Sequence, residues 1–158
     1  MSRLPSLGPR GEGWVAIQVV LLVLVLAAGA AGPVVDGAPR LLLGAVGGPL
    51  VALGGYLCLR GLRDLDEALT PLPHPRPGAE LVETGSYGLV RHPIYGGIVI
   101  GAAGYALLAA SPLALAGAVL LLAFFRLKSG REEAWLRARY PGYEAYAART
   151  KRMIPRIY

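Results

Sequence analysis

The chain has 158 residues and a formal net charge of +6, with 54% apolar and only 16% charged residues. Soluble domains average about 25% charged residues, so this composition excludes an ordinary soluble enzyme, a disordered chain and a collagen-like protein. It indicates a membrane protein. A single cysteine, Cys58, excludes an intramolecular disulfide and a cysteine-based zinc cluster, and with only two histidines we expect no metal site. The basic residues flank apolar runs, which favours contact with anionic lipid headgroups and not with nucleic acid.

Four apolar stretches predict membrane-spanning helices at about residues 14–32, 41–59, 94–110 and 112–127. The first two approach the ~20 residues that a helix needs to cross the hydrocarbon core. The last two meet at Ser111 and Pro112 and predict a tight helical hairpin, whose second arm is extended by Arg126 and Lys128 reaching the interface. We therefore expect an all-α integral membrane protein, a single domain over residues 1–158 with about four transmembrane helices and a C-terminal cytoplasmic helical tail.

The first stretch also has features of a secretory signal peptide. Arg3 and Arg10 precede it, and Ala28, Gly29 and Ala30 resemble a cleavage site. Its apolar core is longer than the about 7–15 residues of such peptides, which favours a retained span.

The positions of lysine and arginine predict the orientation of the spans. Fifteen of these 16 residues precede span one, lie between spans two and three or follow span four, whereas Arg40 lies between spans one and two. By the positive-inside rule, both termini and the long middle loop are cytoplasmic.

Glycines inside the spans predict close helix packing. Gly44 and Gly48 are four residues apart in span two, as are Gly97 and Gly101 in span three. This spacing lets helices approach closely and would also suit a homodimer. A glycine-rich composition explains such pairs equally well.

The loop between spans two and three ends in a sequence typical of an anion-binding helix start. Pro93 suits the first helical position, which leaves the next backbone N–H groups without intrahelical partners. Arg91 and His92 flank this start, and glycines at positions 85, 88, 96 and 97 would let a ligand approach the backbone. The same residues also suit an interfacial helix, with Arg91 on a lipid phosphate and Tyr95 in the aromatic belt. A proline-rich stretch upstream predicts an extended chain with His74 exposed.

The tail holds the second group of polar candidates. Ser129 and Glu132 have the S-x-x-E spacing of a capping box and predict a new helix that ends near residue 140. A second short helix would carry Tyr143 and Tyr146. Glu132 and Glu133 suit a ligand or simply the first turn of a helix, where the dipole favours acids. The basic tail as a whole also suits an amphipathic segment on the membrane surface.

Two motifs in this order resemble those of the isoprenylcysteine carboxyl methyltransferases and their bacterial relatives, a group that includes phospholipid N-methyltransferases. From Gly85 to Gly96 the chain reads GSYGLVRHPIYG, similar to the family's G-x-Y-x-x-x-R-H-P-x-Y signature. The tail reads EEAWL from Glu132, has tyrosines at positions 140, 143 and 146, and continues to RMIP at Arg152–Pro155, which resembles the E-E-x-x-L, Y-x-x-Y and R-x-I-P elements of that family. The likeness covers about residues 81–155.

This resemblance implies an integral membrane methyltransferase that uses S-adenosylmethionine and acts on a lipophilic small molecule, a lipidated acceptor or a membrane lipid. It places the cofactor against Ala79, Glu80, Leu81, Val82, Tyr87, His92, Pro93, Ile94, Tyr95 and Glu132. The arginine that contacts the acceptor in prenylcysteine enzymes falls on Lys128, which keeps the charge but loses the bidentate geometry suited to a carboxylate. Arg126 or Arg131 would substitute for it. The resemblance thus gives Lys128, Arg126 and Glu133 as the expected catalytic residues, with Glu133 as the second member of the acidic pair.

A carboxylate acceptor is already ionised at pH 7, so its methylation needs positioning and desolvation and no strong base. An amine acceptor would first have to lose a proton. In this hypothesis Glu132 binds the cofactor's hydroxyl or ammonium groups, and His92 and Tyr87 orient the cofactor. Lys128 or Arg126 then steers an anionic acceptor that enters from the bilayer.

Two other interpretations stay open. One is an NADPH-dependent sterol-type reductase, whose turn before the third span is related. Those enzymes tend to carry an acid soon after the tyrosine, where this chain has Gly96 and Gly97. The other is a non-catalytic four-span scaffold or lipid-binding protein, which leaves the paired motifs unexplained.

Overall fold

The computed structural model describes residues 4–70, 72–75 and 77–154, so Arg3, Arg76 and Arg156 of the charge count and Pro155 of the tail motif lie outside the described residues. In this part of the chain there are five α-helices and no β-strand. The helices are α1 (Glu12–Ala31), α2 (Ala38–Leu65), α3 (Pro93–Leu108), α4 (Pro112–Arg139) and α5 (Tyr143–Arg149). Short 3₁₀ turns at Asp66–Ala68 and Gly85–Gly88 punctuate the long loop between α2 and α3.

The helices have the length and surface of a membrane protein. Three of those described are long and apolar enough to cross a membrane, at Glu12–Ala31, Pro39–Leu65 and Pro112–Arg139. The apolar α3 has 16 residues and is about 24 Å long, shorter than the ~30 Å hydrocarbon core. Large apolar side chains face outward, and Leu41 and Leu42 are 80% and 73% exposed. Such a surface is stable against lipid, so the prediction of an all-α integral membrane protein is confirmed.

The four long helices run antiparallel, which gives the bundle two distinct ends. At one end, which we call the hairpin end, the Val35 N–H donates to the Ala110 carbonyl at 2.8 Å and joins the α1–α2 loop to the α3–α4 turn. The Ser111 hydroxyl at that turn donates to the Ala28 carbonyl at 3.0 Å. At the opposite end, the site end, the start of α1 packs on the later part of α4, where the rings of Trp14 and Phe124 are 5.8 Å apart.

Charge is divided unequally between these ends. In the described part of the chain, Arg40 is the one basic residue at the hairpin end, where it pairs with Asp36 at 3.5 Å. The other described lysines and arginines lie at the site end or in the tail. This division follows directly from the sequence positions once the helices are antiparallel.

Glycine allows α2 and α3 to pack backbone against backbone. A Cβ on Gly54 would lie 2.5 Å from the Gly101 nitrogen, and a Cβ on Gly47 would lie 2.5 Å from the Leu108 nitrogen. Gly97 and Gly101 therefore face α2, as their spacing suggests. Gly48 has open space around it, so the predicted pair in α2 is wrong. Gly47 and Gly54, through which α2 contacts the backbone of α3, are seven residues or two helical turns apart, whereas the predicted pair was four residues apart.

The tail does not begin a new helix at Ser129, contrary to the capping-box prediction. α4 runs without a break from Pro112 to Arg139, and so joins the predicted fourth span to the predicted tail helix. The Ser129 hydroxyl donates to the Arg126 carbonyl at 3.2 Å, one turn back in the same helix. Because a serine hydroxyl can bond its own helix in this way, the S-x-x-E spacing does not distinguish a cap from a helix interior. α5 then carries Tyr143 and Tyr146, as predicted.

Candidate functional site

A cavity of about 380 Å³ opens at the site end, between the long loop and the adjoining parts of α2, α3, α4 and α5. Its size lies within the range of about 300–1,000 Å³ that small-molecule sites occupy. Ten of the residues predicted from sequence line it: Ala79, Glu80, Leu81, Val82, Tyr87, His92, Ile94, Tyr95, Lys128 and Glu132. The structure therefore brings both motifs to one place, although they are separated in sequence by the α3–α4 hairpin.

A backbone pairing holds the two motifs together. The N–H groups of Arg91 and His92 donate to the carbonyls of Lys151 and Arg152, both at 2.8 Å. Val90 and Lys151 thereby form a parallel bridge. Pro93 is the first residue of α3, as predicted, and His92 is its N-cap. The chain that enters α3 is thus fixed against the end of the tail.

The glycines of the first motif make room for protein and not for a ligand. Gly85 has a φ of +61°, and a Cβ on it would lie 2.5 Å from the Asp64 carboxylate. That carboxylate accepts a hydrogen bond from the Ser86 N–H at 2.7 Å. A Cβ on Gly96 would lie 2.8 Å from the Met153 carbonyl, and Gly97 contacts α2. The predicted anion site at the start of α3 is therefore packed against the tail.

Glu132 faces the cavity and is oriented by an aromatic column. The Tyr95 hydroxyl donates to the Glu132 carboxylate at 2.6 Å. The Tyr95 ring stacks on His92, with centroids 5.2 Å apart, and on Phe125, with centroids 4.7 Å apart. The His92 Nδ1 lies 3.9 Å from the same carboxylate. Stacking on both faces fixes the Tyr95 ring, which in turn fixes the direction of a negative charge at the cavity wall.

Glu133, predicted from sequence as a catalytic residue, is buried and is not among the residues that line the cavity. Its side chain is 0% exposed, and Arg91 donates to it at 2.9 Å. Arg152 and Arg137 contact the same carboxylate at 3.1 and 3.3 Å, and the His92 Nε2 lies 3.3 Å away. Successive side chains of an α-helix project about 100° apart, so two adjacent acids face different surroundings. We call Glu133 and these four partners the ion-pair cluster.

The ion-pair cluster connects three parts of the fold. Glu133 and Arg137 lie on α4, Arg91 and His92 precede α3, and Arg152 lies in the tail. Arg91 also donates to the carbonyls of Ala147 and Thr150. A buried carboxylate is tolerated when it is paired and hydrogen-bonded in this way.

Lys128 lines the inner part of the cavity together with a residue that the sequence analysis did not select. It is only 2% exposed, its ammonium donates to the Gln18 side-chain oxygen, and it lies 5.0 Å from the centre of the Tyr95 ring. Gln18 is the one strongly polar residue in the apolar run of α1. Polar residues inside membrane spans usually have functional or packing roles. The isolated polar position of Gln18 is therefore the sequence feature that could have identified it as a site residue.

Three other candidates lie apart from the cavity lining. Arg126 lines a separate groove on the outside of the fold. Arg131 stacks its guanidinium over the Trp135 ring at 4.2 Å. Pro93 is buried and shapes the start of α3 without contributing to the lining. The structure therefore leaves Lys128, and not Arg126 or Arg131, at the cavity.

Five of the eight tyrosines in the chain line the cavity: Tyr87, Tyr95, Tyr140, Tyr143 and Tyr146. Two of them hold its wall together, since Tyr140 donates to the Ala79 carbonyl at 2.7 Å and Tyr146 to the Tyr87 carbonyl at 2.8 Å. Burial raises the pKa of Tyr87, Tyr143 and Tyr146 further above neutral pH, where a phenol is already protonated.

Tyr143 carries a buried hydroxyl that none of the described residues pairs with. Its side chain is 0% exposed, and its hydroxyl has no hydrogen-bond partner among the described residues. An unpaired buried polar group costs about 1–3 kcal/mol. Because Tyr143 is among the residues that line the cavity, its hydroxyl is a candidate polar group of the site.

The proline-rich part of the loop forms one wall of the cavity and is not exposed as predicted. Pro73 and Pro75 line the cavity. His74 is half-buried, and its ring lies 5.6 Å from that of Trp135. Its backbone N–H donates to the Arg10 carbonyl at 3.3 Å. The segment before α1 thus supports this wall from outside.

Comparison with known proteins agrees with this arrangement. No curated protein matches the sequence. The model of the family described as phospholipid methyltransferase matches residues 42–142. The match includes α2, α3 and α4, with Lys128 and Glu132 at the cavity, and ends just before α5. Because it covers more than half of the chain, the protein belongs to the phospholipid methyltransferase family, whose description implies a methyltransferase that works at a membrane.

Proposed function

We propose that this protein catalyses methyl transfer from S-adenosylmethionine to a lipophilic acceptor. The observation that carries the proposal is the joint presence at one cavity of an oriented carboxylate, a set of aromatic rings and an unsatisfied buried hydroxyl. Glu132 supplies the negative charge, the lining tyrosines other than the doubly stacked Tyr95 supply the rings, and Tyr143 supplies the hydroxyl.

These groups suit a sulfonium cofactor on physical grounds. A carboxylate and the faces of aromatic rings both attract a cation, and the rings also offer a surface on which a nucleobase can stack. The Tyr143 hydroxyl would donate to an oxygen of the cofactor's polar parts, which removes the cost of leaving it unpaired. Ala79, Leu81 and Val82 would complete the apolar side of the site. When bound, the cofactor supplies an electrophilic methyl group whose bond to sulfur breaks as the acceptor bonds to carbon.

Lys128 and Gln18 would receive the acceptor. Gln18 lies within α1 and Lys128 within α4, and Ile98 on α3 lines the same cavity. The buried Lys128 ammonium is held by the neutral amide of Gln18 and forms no ion pair with a described residue, although the Glu132 carboxylate one turn along α4 also acts on it. An anionic group on the acceptor would complete its contacts. An acceptor carboxylate beside Lys128 would be ionised already, so the protein would need only to position and desolvate it. We therefore propose a carboxylate on a lipophilic, prenylcysteine-like molecule as the first candidate.

A phospholipid amine is the second candidate, and the family match favours it. Its phosphate would take the place of the carboxylate beside Lys128. The amine must lose a proton before it can attack carbon, and Glu132 at the cavity wall would accept that proton.

We further propose that the site end faces the cytosol. Fifteen of the 16 basic residues lie at that end by sequence position, as the positive-inside rule requires of cytosolic segments. S-adenosylmethionine is made in the cytosol, so a site on this side has direct access to it.

Labelled membranes give the decisive test of the reaction. Membranes that contain the protein would be incubated with methyl-labelled S-adenosylmethionine, and the labelled product would be identified by mass spectrometry. A base-labile methyl ester supports the carboxylate acceptor, whereas a base-stable methylamine on a phospholipid supports the amine. Absence of any labelled lipid or lipidated product, with no binding of adenosine-containing ligands, would contradict the proposal and favour a non-catalytic protein.

A further inference from the structure

A second, open groove lies on the outside of the fold, between α4 and the segment that follows α5. Four cationic side chains line it: Arg91, Arg126, Lys151 and Arg152. Arg91 lines both this groove and the cavity and so lies between them. Ala147, Ala148 and Thr150 complete the described lining, and none of the described residues that line the groove is acidic.

The charge near this groove is strongly unbalanced. Arg91 and Arg152 share the carboxylate of Glu133, which Arg137 also contacts. Arg137 is also paired with Glu144 at 2.7 Å, so Arg91 and Arg152 have the Glu133 carboxylate between them. Arg126 and Lys151 are two more cations on the same groove. Both of these residues are exposed. A concentration of cations on one concave surface attracts an anion with more than one negative oxygen.

The position of the groove along α4 places it where lipid headgroups lie. Arg126 is the first charged residue after the apolar run of α4, which begins at Pro112. Apolar side chains close to it in sequence face outward: Leu122 is 36% exposed and Leu127 is 50% exposed. Ile154, just beyond Arg152, is 38% exposed. If the bound anion is the headgroup of a lipid, its apolar tail would lie along these outward side chains of α4.

We propose that this groove binds the phosphate of an anionic phospholipid, at a site separate from the cavity. Arg126 and Lys151 would contact the phosphate, and the acyl chains would lie along the outward apolar face of α4. A zwitterionic lipid would bind less well because its cationic choline would lie near the excess positive charge. The bound lipid would also anchor the tail that carries Arg152, and with it the ion-pair cluster.

Native mass spectrometry of the purified full chain in detergent tests this proposal. Phosphatidylglycerol and phosphatidylcholine would be added separately to the wild type, to Arg126→Gln/Lys151→Gln and to a control, Arg63→Gln/Arg139→Gln, which removes two exposed arginines elsewhere. We expect one phosphatidylglycerol to bind the wild type more tightly than phosphatidylcholine does. We expect the groove variant to lose about thirtyfold in affinity for it, because it lacks both cations that would contact the phosphate. The control should bind like the wild type.

Three results would overturn the proposal. Equal phosphatidylglycerol binding by the groove variant would show that the groove is not the site, and equal loss in the control would show a general charge effect. Displacement of the lipid by millimolar inorganic phosphate would assign the groove to a soluble phosphate. The single variant Lys151→Gln, at an exposed side chain, gives a milder change in case the double variant does not fold. It should lose part of the selectivity with an unchanged melting temperature.

Discussion

The two faces of α4 beyond Phe125 show how one helix can serve two purposes. On one face Lys128 and Glu132 line the cavity, and both have contacts that leave room for a ligand. On the other face Glu133 is enclosed in the ion-pair cluster and has no access to the cavity. Glu132 and Glu133 are adjacent and chemically alike, so their different positions on the helix alone place one at the cavity and the other in the ion-pair cluster.

Replacing Glu133 should have the largest effect on stability. Glu133→Gln removes the buried charge that Arg91, Arg152 and His92 surround, and removal of one partner from a buried ion pair costs about 3–5 kcal/mol. We expect a large fall in the apparent melting temperature, measured by circular dichroism in detergent. The matched variant Glu132→Gln should melt close to the wild type, because Glu132 is partly exposed at the cavity. If Glu133→Gln melted like the wild type, the division between the two faces would be wrong.

Lys128 tests the cavity face for acceptor binding. Lys128→Met keeps most of the side-chain volume and removes the ammonium, so we expect about a tenfold rise in KM for an anionic acceptor. Cofactor affinity should change little, because Glu132 and the tyrosines are intact. Arg139→Gln, which removes an exposed cation from the same helix, is the control and should leave KM unchanged. An unchanged KM in Lys128→Met would remove this residue from acceptor binding.

Removing the hydroxyl of Tyr143 or of Tyr146 should have smaller effects that differ in direction between the two residues. Tyr143→Phe removes a hydroxyl without a partner in the described structure, so the melting temperature should stay the same or rise. Cofactor affinity should fall by about fivefold through loss of one hydrogen bond. Tyr146→Phe should instead lower the melting temperature, because it leaves the buried Tyr87 carbonyl unpaired. Calorimetric titration and thermal melting of both variants check this pattern, and unchanged affinity in Tyr143→Phe would contradict it.

Much of this architecture could be predicted from sequence, since apolar runs, Pro93 and the turn at Ser111 define the helices before any contact is known. The resemblance also predicted that two distant motifs would meet. The sequence could not show which of two adjacent acids faces the cavity, because that depends on the rotation of α4 against α3 and the tail. It could not distinguish a cap from a helix interior at Ser129. It also did not show that Gly47 and Gly54 make the close backbone contacts with α3, whereas Gly48 has open space around it.

Titration of S-adenosylmethionine into the purified protein tests the central claim most directly. The wild type should bind with micromolar affinity. Glu132→Gln should bind at least about tenfold more weakly, because a hydrogen bond to a charged group contributes about 1.5–3 kcal/mol. The exposed acid variant Glu144→Gln should bind like the wild type, and both variants should melt normally. Equal binding by the wild type and Glu132→Gln, with both folded, would contradict the assignment of this cavity to the methyl donor.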